Sequence, residues 1–269
     1  MLPDLEHALA LAQLGWQIDL GATEAICEHP VNRYDQPVTA KKPAAKPPSA
    51  PEQGQRSAAQ TDANQTLTTA DALAAGATTL AELRDALAAF DGCELEKGAR
   101  NLVFSDGNPM ARLMIVGEAP GREEDIKGRP FVGRAGQLLD RMLAAIELSR
   151  DSQAPDSAVY IANVLPWRPP HNRDPSPEEI AMLLPFLRRH IALAAPDILV
   201  LMGNTACAAL LGQKGITRLR GTWTSVDGIA TLPMFHPAYL LRNPEKKRES
   251  WADLLAVSAH LKGNGNAQD

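Results

Sequence analysis

The residues of this chain best suited to chemistry are Glu118, Glu124, Phe131, Asn163 and His236. They cluster where short apolar runs end. The run Leu113 to Val116 breaks at Gly117 into Glu118-Ala119-Pro120-Gly121, followed by Glu123-Glu124-Asp125 and by Arg129-Pro130-Phe131-Val132-Gly133-Arg134-Ala135-Gly136. A second run delivers Asn163, a third ends at Gly203-Asn204-Thr205, and a fourth leads into Phe235-His236-Pro237-Ala238-Tyr239-Leu240-Leu241-Arg242. A glycine-rich loop lets backbone N–H groups approach a ligand closely. Carboxylates, an amide, an imidazole and an aromatic ring around it would make a polar pocket with one stacking surface. Taken singly, each feature has an ordinary explanation: a strand-to-helix turn, a cap, a surface or core histidine. Their convergence on one edge argues for a ligand site, because open α/β sheets bind ligands beyond the carboxyl ends of their strands.

The elements that must position these groups follow from the pattern. Strands are expected at Leu113–Val116, Val159–Val164, Ile198–Met202 and Leu232–Phe235, and helices at Ala135–Ile146, Pro177–Ala194, Thr205–Leu211 and Glu245–Leu261. The alternation predicts a three-layer α/β/α sandwich around a short, mainly parallel four-stranded sheet. Thr79-Leu80-Ala81-Glu82 has capping-box spacing, with Leu80, Leu83, Leu87 and Phe90 at helical intervals after it. Ser176-Pro177-Glu178-Glu179 offers an N-cap and a first-turn proline. Asn101 to Pro109 reads as irregular, closing on the turn formers Asp106-Gly107-Asn108-Pro109. In the last helix, Trp251, Leu254, Leu255 and Leu261 form an apolar stripe assigned to the core.

The chain has 269 residues, a net charge of -5 and 45% hydrophobic residues. That composition supports a packed core and gives no global basic field, so a nucleic-acid partner would need a local patch. No apolar run reaches the length of a membrane span, and the N-terminus lacks the pattern of a secretory signal. Cys27, Cys93 and Cys207 are odd in number and far apart, suggesting neither a disulfide framework nor a zinc site and fitting a reducing cytoplasm. Residues 1–36 carry a short apolar helix over Leu5 to Gln17. Residues 37–65, rich in Pro, Ala, Lys, Ser and Gln, read as a disordered linker, and 66–269 as the α/β domain.

From about Phe90 to Leu261 the sequence resembles the uracil-DNA glycosylase superfamily, closest to its bacterial and archaeal family-four type. The motifs are GEAPG with GRPFVGRAGQLL downstream, NV at a strand end followed by RPPHNRDPSPEE, and HPAYLLR. The resemblance implies hydrolysis of the N-glycosidic bond of a uracil flipped from single- or double-stranded DNA, by a monomeric bacterial cytoplasmic enzyme. It implies that Phe131 stacks on the base, that Asn163 reads its Watson–Crick edge, and that His236 stabilises O2 as negative charge develops. Gly117, Ala119, Pro120 and Gly121 would line the substrate, and Glu118 or Glu124 would orient the water. Leu240 and Leu241 stand at the apolar wedge. Arg129, Arg134, Arg220 and Arg242, with Lys246, Lys247 and Arg248 nearby, would meet phosphates.

Two departures stand out. Family-four proteins hold a four-iron cluster on four cysteines. Here Cys93 matches one of them, while the others fall at Phe90, Trp167 and near Leu183. One thiolate cannot hold such a cluster, so no cofactor is expected. The last motif reads His-Pro-Ala where other branches have serine, removing a phosphate contact at Ala238. The alternatives are a non-catalytic or covalent uracil-DNA binder and an unrelated nucleotide-binding module. The covalent reading lacks the basic, histidine-bearing insert, which His171 matches poorly. The nucleotide reading lacks GxGxxG and GxxxxGK[ST].

Overall fold

The computed structural model describes residues 66–265. The helix expected over Leu5 to Gln17, the linker at 37–65 and Cys27 lie outside the described residues.

Helix α1 covers residues 66–76 and α2 Leu80–Ala88. The capping box of α2 forms as the spacing requires: Thr79 Oγ1 accepts from Glu82 N–H at 3.2 Å, and the Glu82 carboxylate accepts from Thr79 N–H at 3.2 Å. Then come α3 Leu95–Gly98, β1 Asp106–Gly107, β2 Leu113–Gly117, α4 Arg122–Lys127 and α5 Arg134–Ala144. The second half holds β3 Val159–Asn163, α6 Pro177–Ala194, β4 Ile198–Met202, α7 Asn204–Leu211, α8 Ile216–Leu219, β5 Thr224–Val226, β6 Ile229–Met234, α9 Pro237–Arg242 and α10 Lys247–Gly265.

The sheet has six strands in the order β1-β3-β2-β4-β6-β5, where four were expected. The four expected strands form its parallel centre, and β1 and β5 pair antiparallel at the two edges. Those edge strands are two and three residues long, too short to show a hydrophobic period. Every residue of β2, β3 and β4 is buried. Alternate side chains serve opposite faces. Leu113, Ile115, Val159, Ile161, Ile198 and Val200 join α5 and α10 residues Leu139, Leu143, Leu254 and Val257. Met114, Val116, Tyr160, Ala162, Leu199 and Leu201 join Leu83, Leu183, Leu187 and Cys207 of α2, α6 and α7. Helices on both faces explain why the strands read as continuous apolar runs. The stripe expected on α10 is corrected: Leu254, Val257 and Leu261 face the core, while Trp251 and Leu255 are 42% and 47% exposed. No helix among the described residues is long and apolar enough to cross a membrane.

Parallel pairing brings the carboxyl ends of β2, β3, β4 and β6 to one edge. The chain passes from β2 to β3 on one side and then to β4 on the other, which puts a topological switch point between β2 and β4.

On the face away from α5 and α10, α6 buries His190 against Phe104, rings stacked at 4.3 Å, with its Nε2 2.8 Å from the Tyr160 hydroxyl. Burial pulls the His190 pKa down to about 3, against about 6.5 in an unfolded chain. Below about pH 6.5 the unfolded state therefore takes up a proton that the folded state refuses, and stability is lost as pH falls toward 3. His190→Gln keeps a hydrogen-bonding group without that proton and should flatten the dependence of Tm on pH between about 6.5 and 4. Parallel Tm profiles for the two proteins would exclude this coupling.

Candidate active site

The site begins at the register of β2 and β3, which sets Gly117 beside Asn163. The parallel ladder continues one step further, with Val164 N–H donating to Gly117 O and Leu165 N–H to Glu118 O, both at 3.0 Å, so the first residue of the loop is fixed. Gly117 has no room for a side chain. A β-carbon there would lie 2.5 Å from both Asn163 Oδ1 and Phe131 Cε2. The Phe131 ring and the Asn163 amide therefore meet over bare backbone. Phe131 itself has φ 54°, a region that costs a non-glycine residue on the order of 1–3 kcal/mol. The first turn of α5 runs so close beneath it that a β-carbon on Gly136 would lie 1.7 Å from Phe131 O.

The two carboxylates occupy different environments. Glu118 is half-buried on the cleft wall and accepts from Thr205 Oγ1 at 2.6 Å, joining the loops after β2 and β4 across the switch point. Glu124 is spent on the backbone: Oε1 accepts from Val132 N–H at 2.9 Å and Gly133 N–H at 2.8 Å, and Oε2 from Gly121 N–H at 3.1 Å. It clamps the GEAPG loop to the segment carrying Phe131. The sequence left the two equivalent, and the hydrogen bonds separate them.

His236 is the N-cap of α9, its Nδ1 accepting from Ala238 N–H at 3.1 Å. A neutral ring with an accepting Nδ1 carries its proton on Nε2. Enclosure of the ring, aided by the Arg242 charge and opposed by Glu124, pulls the His236 pKa down to about 4, so the imidazole is neutral near pH 7. The ring stacks on Phe131 with centroids 5.3 Å apart. Glu118, Ala119, Pro120, Gly121, Glu124, Phe131, Asn163, His236 and Arg242 all line one cleft of about 730 Å³, while Gly117 lies against Asn163 and Phe131 and does not itself line the cleft.

The remaining sequence candidates are less uniform. Arg134 and Arg242 are exposed. Arg129 is half-exposed and pairs with Asp106 at 2.9 Å. Arg220 is engaged elsewhere: it pairs with Asp253, donates to Glu249 O and lies over the Phe235 ring. Its partners lie in α10, some 30 residues on, out of reach of local pattern reading. Of the two residues at the expected wedge position, Leu240 is fully buried in the core and Leu241 is partly buried. Lys246 pairs with Glu249 at 2.7 Å. Three residues given no role from sequence belong to this region. Thr205 holds Glu118, Lys214 lines the cleft, and Arg150 binds the backbone at Phe131. Thr205 had a signal, since it follows a strand end; Lys214 and Arg150 had none.

A four-iron cluster does not fit the residues at its expected position. Phe90, Cys93, Trp167 and Leu183 are all buried in one hydrophobic cluster, with Phe90 packed on Phe186 at 5.3 Å. The set offers a single sulfur donor, and among the described residues no group of three His, Cys, Asp or Glu could hold a metal ion.

Comparison with known proteins identifies the family. Residues 104–255 match the uracil DNA glycosylase superfamily. The type-4 uracil-DNA glycosylase of Thermotoga maritima is 42% identical over 180 residues, covering 64% of this chain and 90% of that protein. That of Archaeoglobus fulgidus is 39% identical over 174 residues, covering 61% and 84% respectively. A type-5 uracil-DNA glycosylase of Pyrobaculum aerophilum is 31% identical over 166 residues, covering 57% and 73%. With the matched span enclosing every strand of the sheet and every side chain that meets over Gly117, this chain belongs to the uracil DNA glycosylase superfamily.

Proposed function

We propose that this uracil-DNA glycosylase receives a flipped uracil in the cleft and hydrolyses its N-glycosidic bond, leaving an abasic site. The observation that carries the reading is the meeting of Phe131 and Asn163 over Gly117, with His236 stacked on Phe131 and Glu118 lining the same cleft. Removing a base from the stack costs a few kcal/mol, and stacking on Phe131 returns about 1–3 kcal/mol. The Asn163 amide oxygen accepts from uracil N3–H and its nitrogen donates to O4, whereas cytosine presents the reverse pattern. The neutral His236 donates from Nε2 to O2. As the C1′–N1 bond breaks, its electron pair goes to the base, and the donor meets charge that grows toward the transition state. Water held by Glu118 attacks C1′ and gives up its proton to the carboxylate. Glu124 holds the loop and takes no part in the bond changes.

Exposed Arg134 and Arg242, with half-exposed Arg129, contact phosphates, and Leu241 is the wedge residue. A uracil oligonucleotide treated with protein and then alkali should show strand breaks on a denaturing gel; a slow-migrating protein–DNA band would indicate trapping.

His236→Ala should slow single-turnover cleavage roughly a hundredfold or more, with DNA binding nearly unchanged. Equal losses in both would place His236 in docking. Asn163→Asp should lower uracil excision and admit some cytosine excision, because a carboxylate accepts from the cytosine amino group. Unchanged uracil cleavage would remove Asn163 from base reading.

Glu118→Gln should reduce turnover while leaving Tm nearly unchanged. Glu124→Gln, which turns one backbone-accepting oxygen into a donor, should lower Tm as well as turnover. The reverse pattern would exchange the two roles.

The purified protein should be colourless and iron-free, and chelators should leave its activity unchanged, because one thiolate cannot hold a four-iron cluster. Stoichiometric iron would overturn this assignment.

A further inference from the structure

We infer that Arg150 is the positioning residue for the Phe131 ring, an assignment that rests on the stacking role given to Phe131 above. Arg150 lies between α5 and β3, its side chain only 6% exposed. Its guanidinium makes four hydrogen bonds and one further close carboxylate contact. Nε donates to Asp140 Oδ1 at 2.8 Å. One terminal nitrogen donates to Asp106 Oδ2 and to Pro130 O, both at 2.9 Å. The other donates to Phe131 O at 3.0 Å and lies 2.7 Å from Asp140 Oδ1.

Two of these acceptors are the successive carbonyls that orient the peptide units on either side of the Phe131 α-carbon. That residue sits at φ 54°, a conformation an aromatic residue adopts only when its surroundings impose it. Glu124 fixes the amides that follow, Val132 N–H and Gly133 N–H, and Arg150 fixes the carbonyls of Pro130 and Phe131. The second anchor of the guanidinium, Asp106, belongs to β1 and so to the sheet, pairing through the ladder with β3, the strand that carries Asn163. The stacking ring and the base-reading amide are thus referred to the same strand pair. A lysine cannot replace this fork, because a single ammonium cannot span both carbonyls and both carboxylates.

A double-mutant cycle tests the assignment, using Arg150→Lys, Phe131→Ala and the pair. Two quantities are measured: single-turnover cleavage of a uracil oligonucleotide, and binding of the matched thymine oligonucleotide. Arg150→Lys should slow cleavage roughly ten- to a hundredfold, the scale of a misplaced site group, and leave thymine-oligonucleotide binding unchanged. Once Phe131 is alanine, the same substitution should cost about twofold or less. The same loss in both backgrounds would make Arg150 a general structural residue, and cleavage at the wild-type rate would remove it from the site. Phe131→Ala cleaving as fast as wild type would instead overturn the stacking role, and the inference with it. If circular dichroism shows Arg150→Lys unfolded, Asp140→Asn takes its place in the cycle. Asp140, 48% exposed, aims the guanidinium without touching Phe131. Its loss should be smaller and likewise confined to the Phe131 background, and an additive loss would overturn the assignment.

Discussion

The geometry of the site depends on one backbone pairing, the parallel register that lays Gly117 against Asn163. A slip of one residue would turn every side chain of β2 to the other face of the sheet. It would also move the bare α-carbon away from the only place where a phenyl ring and an amide can both approach it. The register is fixed because both faces of the strands are buried, with Leu113 and Ile115 serving one core and Met114 and Val116 the other. The stability of the sheet and the shape of the base site are therefore one constraint.

On that frame the electrostatics divide the labour. Two glutamates six residues apart begin as similar acids and end in different situations: one meets a hydroxyl on an open wall, the other is consumed by three amides. A histidine between an arginine and a carboxylate would ordinarily be protonated over part of the physiological range. Enclosure keeps this one neutral, so the N–H proposed to meet the leaving base lends no full charge to the resting site. The chain carries net -5 and so has no global basic field; the phosphate contacts proposed for it fall to the few cations exposed near the cleft.

Much of this was legible from sequence, for identifiable reasons. Doubly buried strands leave unbroken apolar runs, so β2, β3 and β4 were found within one residue of their ends, while β6 begins at Ile229, three residues before the expected Leu232, where its first two residues are only partly buried. The polar residues just beyond them pointed to the site. What stayed hidden lies in very short strands and in contacts distant in the chain. Edge strands β1 and β5 have no period to betray them. The pairing of Arg220 with Asp253 and the burial of Leu240 cannot be read from local pattern. The roles of base stacking and base reading came from resemblance, since no spacing rule says what a phenylalanine after a turn will touch.

The left-handed backbone at Phe131 sets local comfort against usefulness. A glycine would sit there without strain, and an asparagine with little, yet neither offers a face to a base. Selection for thermal robustness alone would erode this position; under the stacking role proposed for Phe131, selection for repair must keep restoring it. The residue is a small frustrated spot maintained by its neighbours, and its persistence in a lineage would itself record that excision was still being demanded.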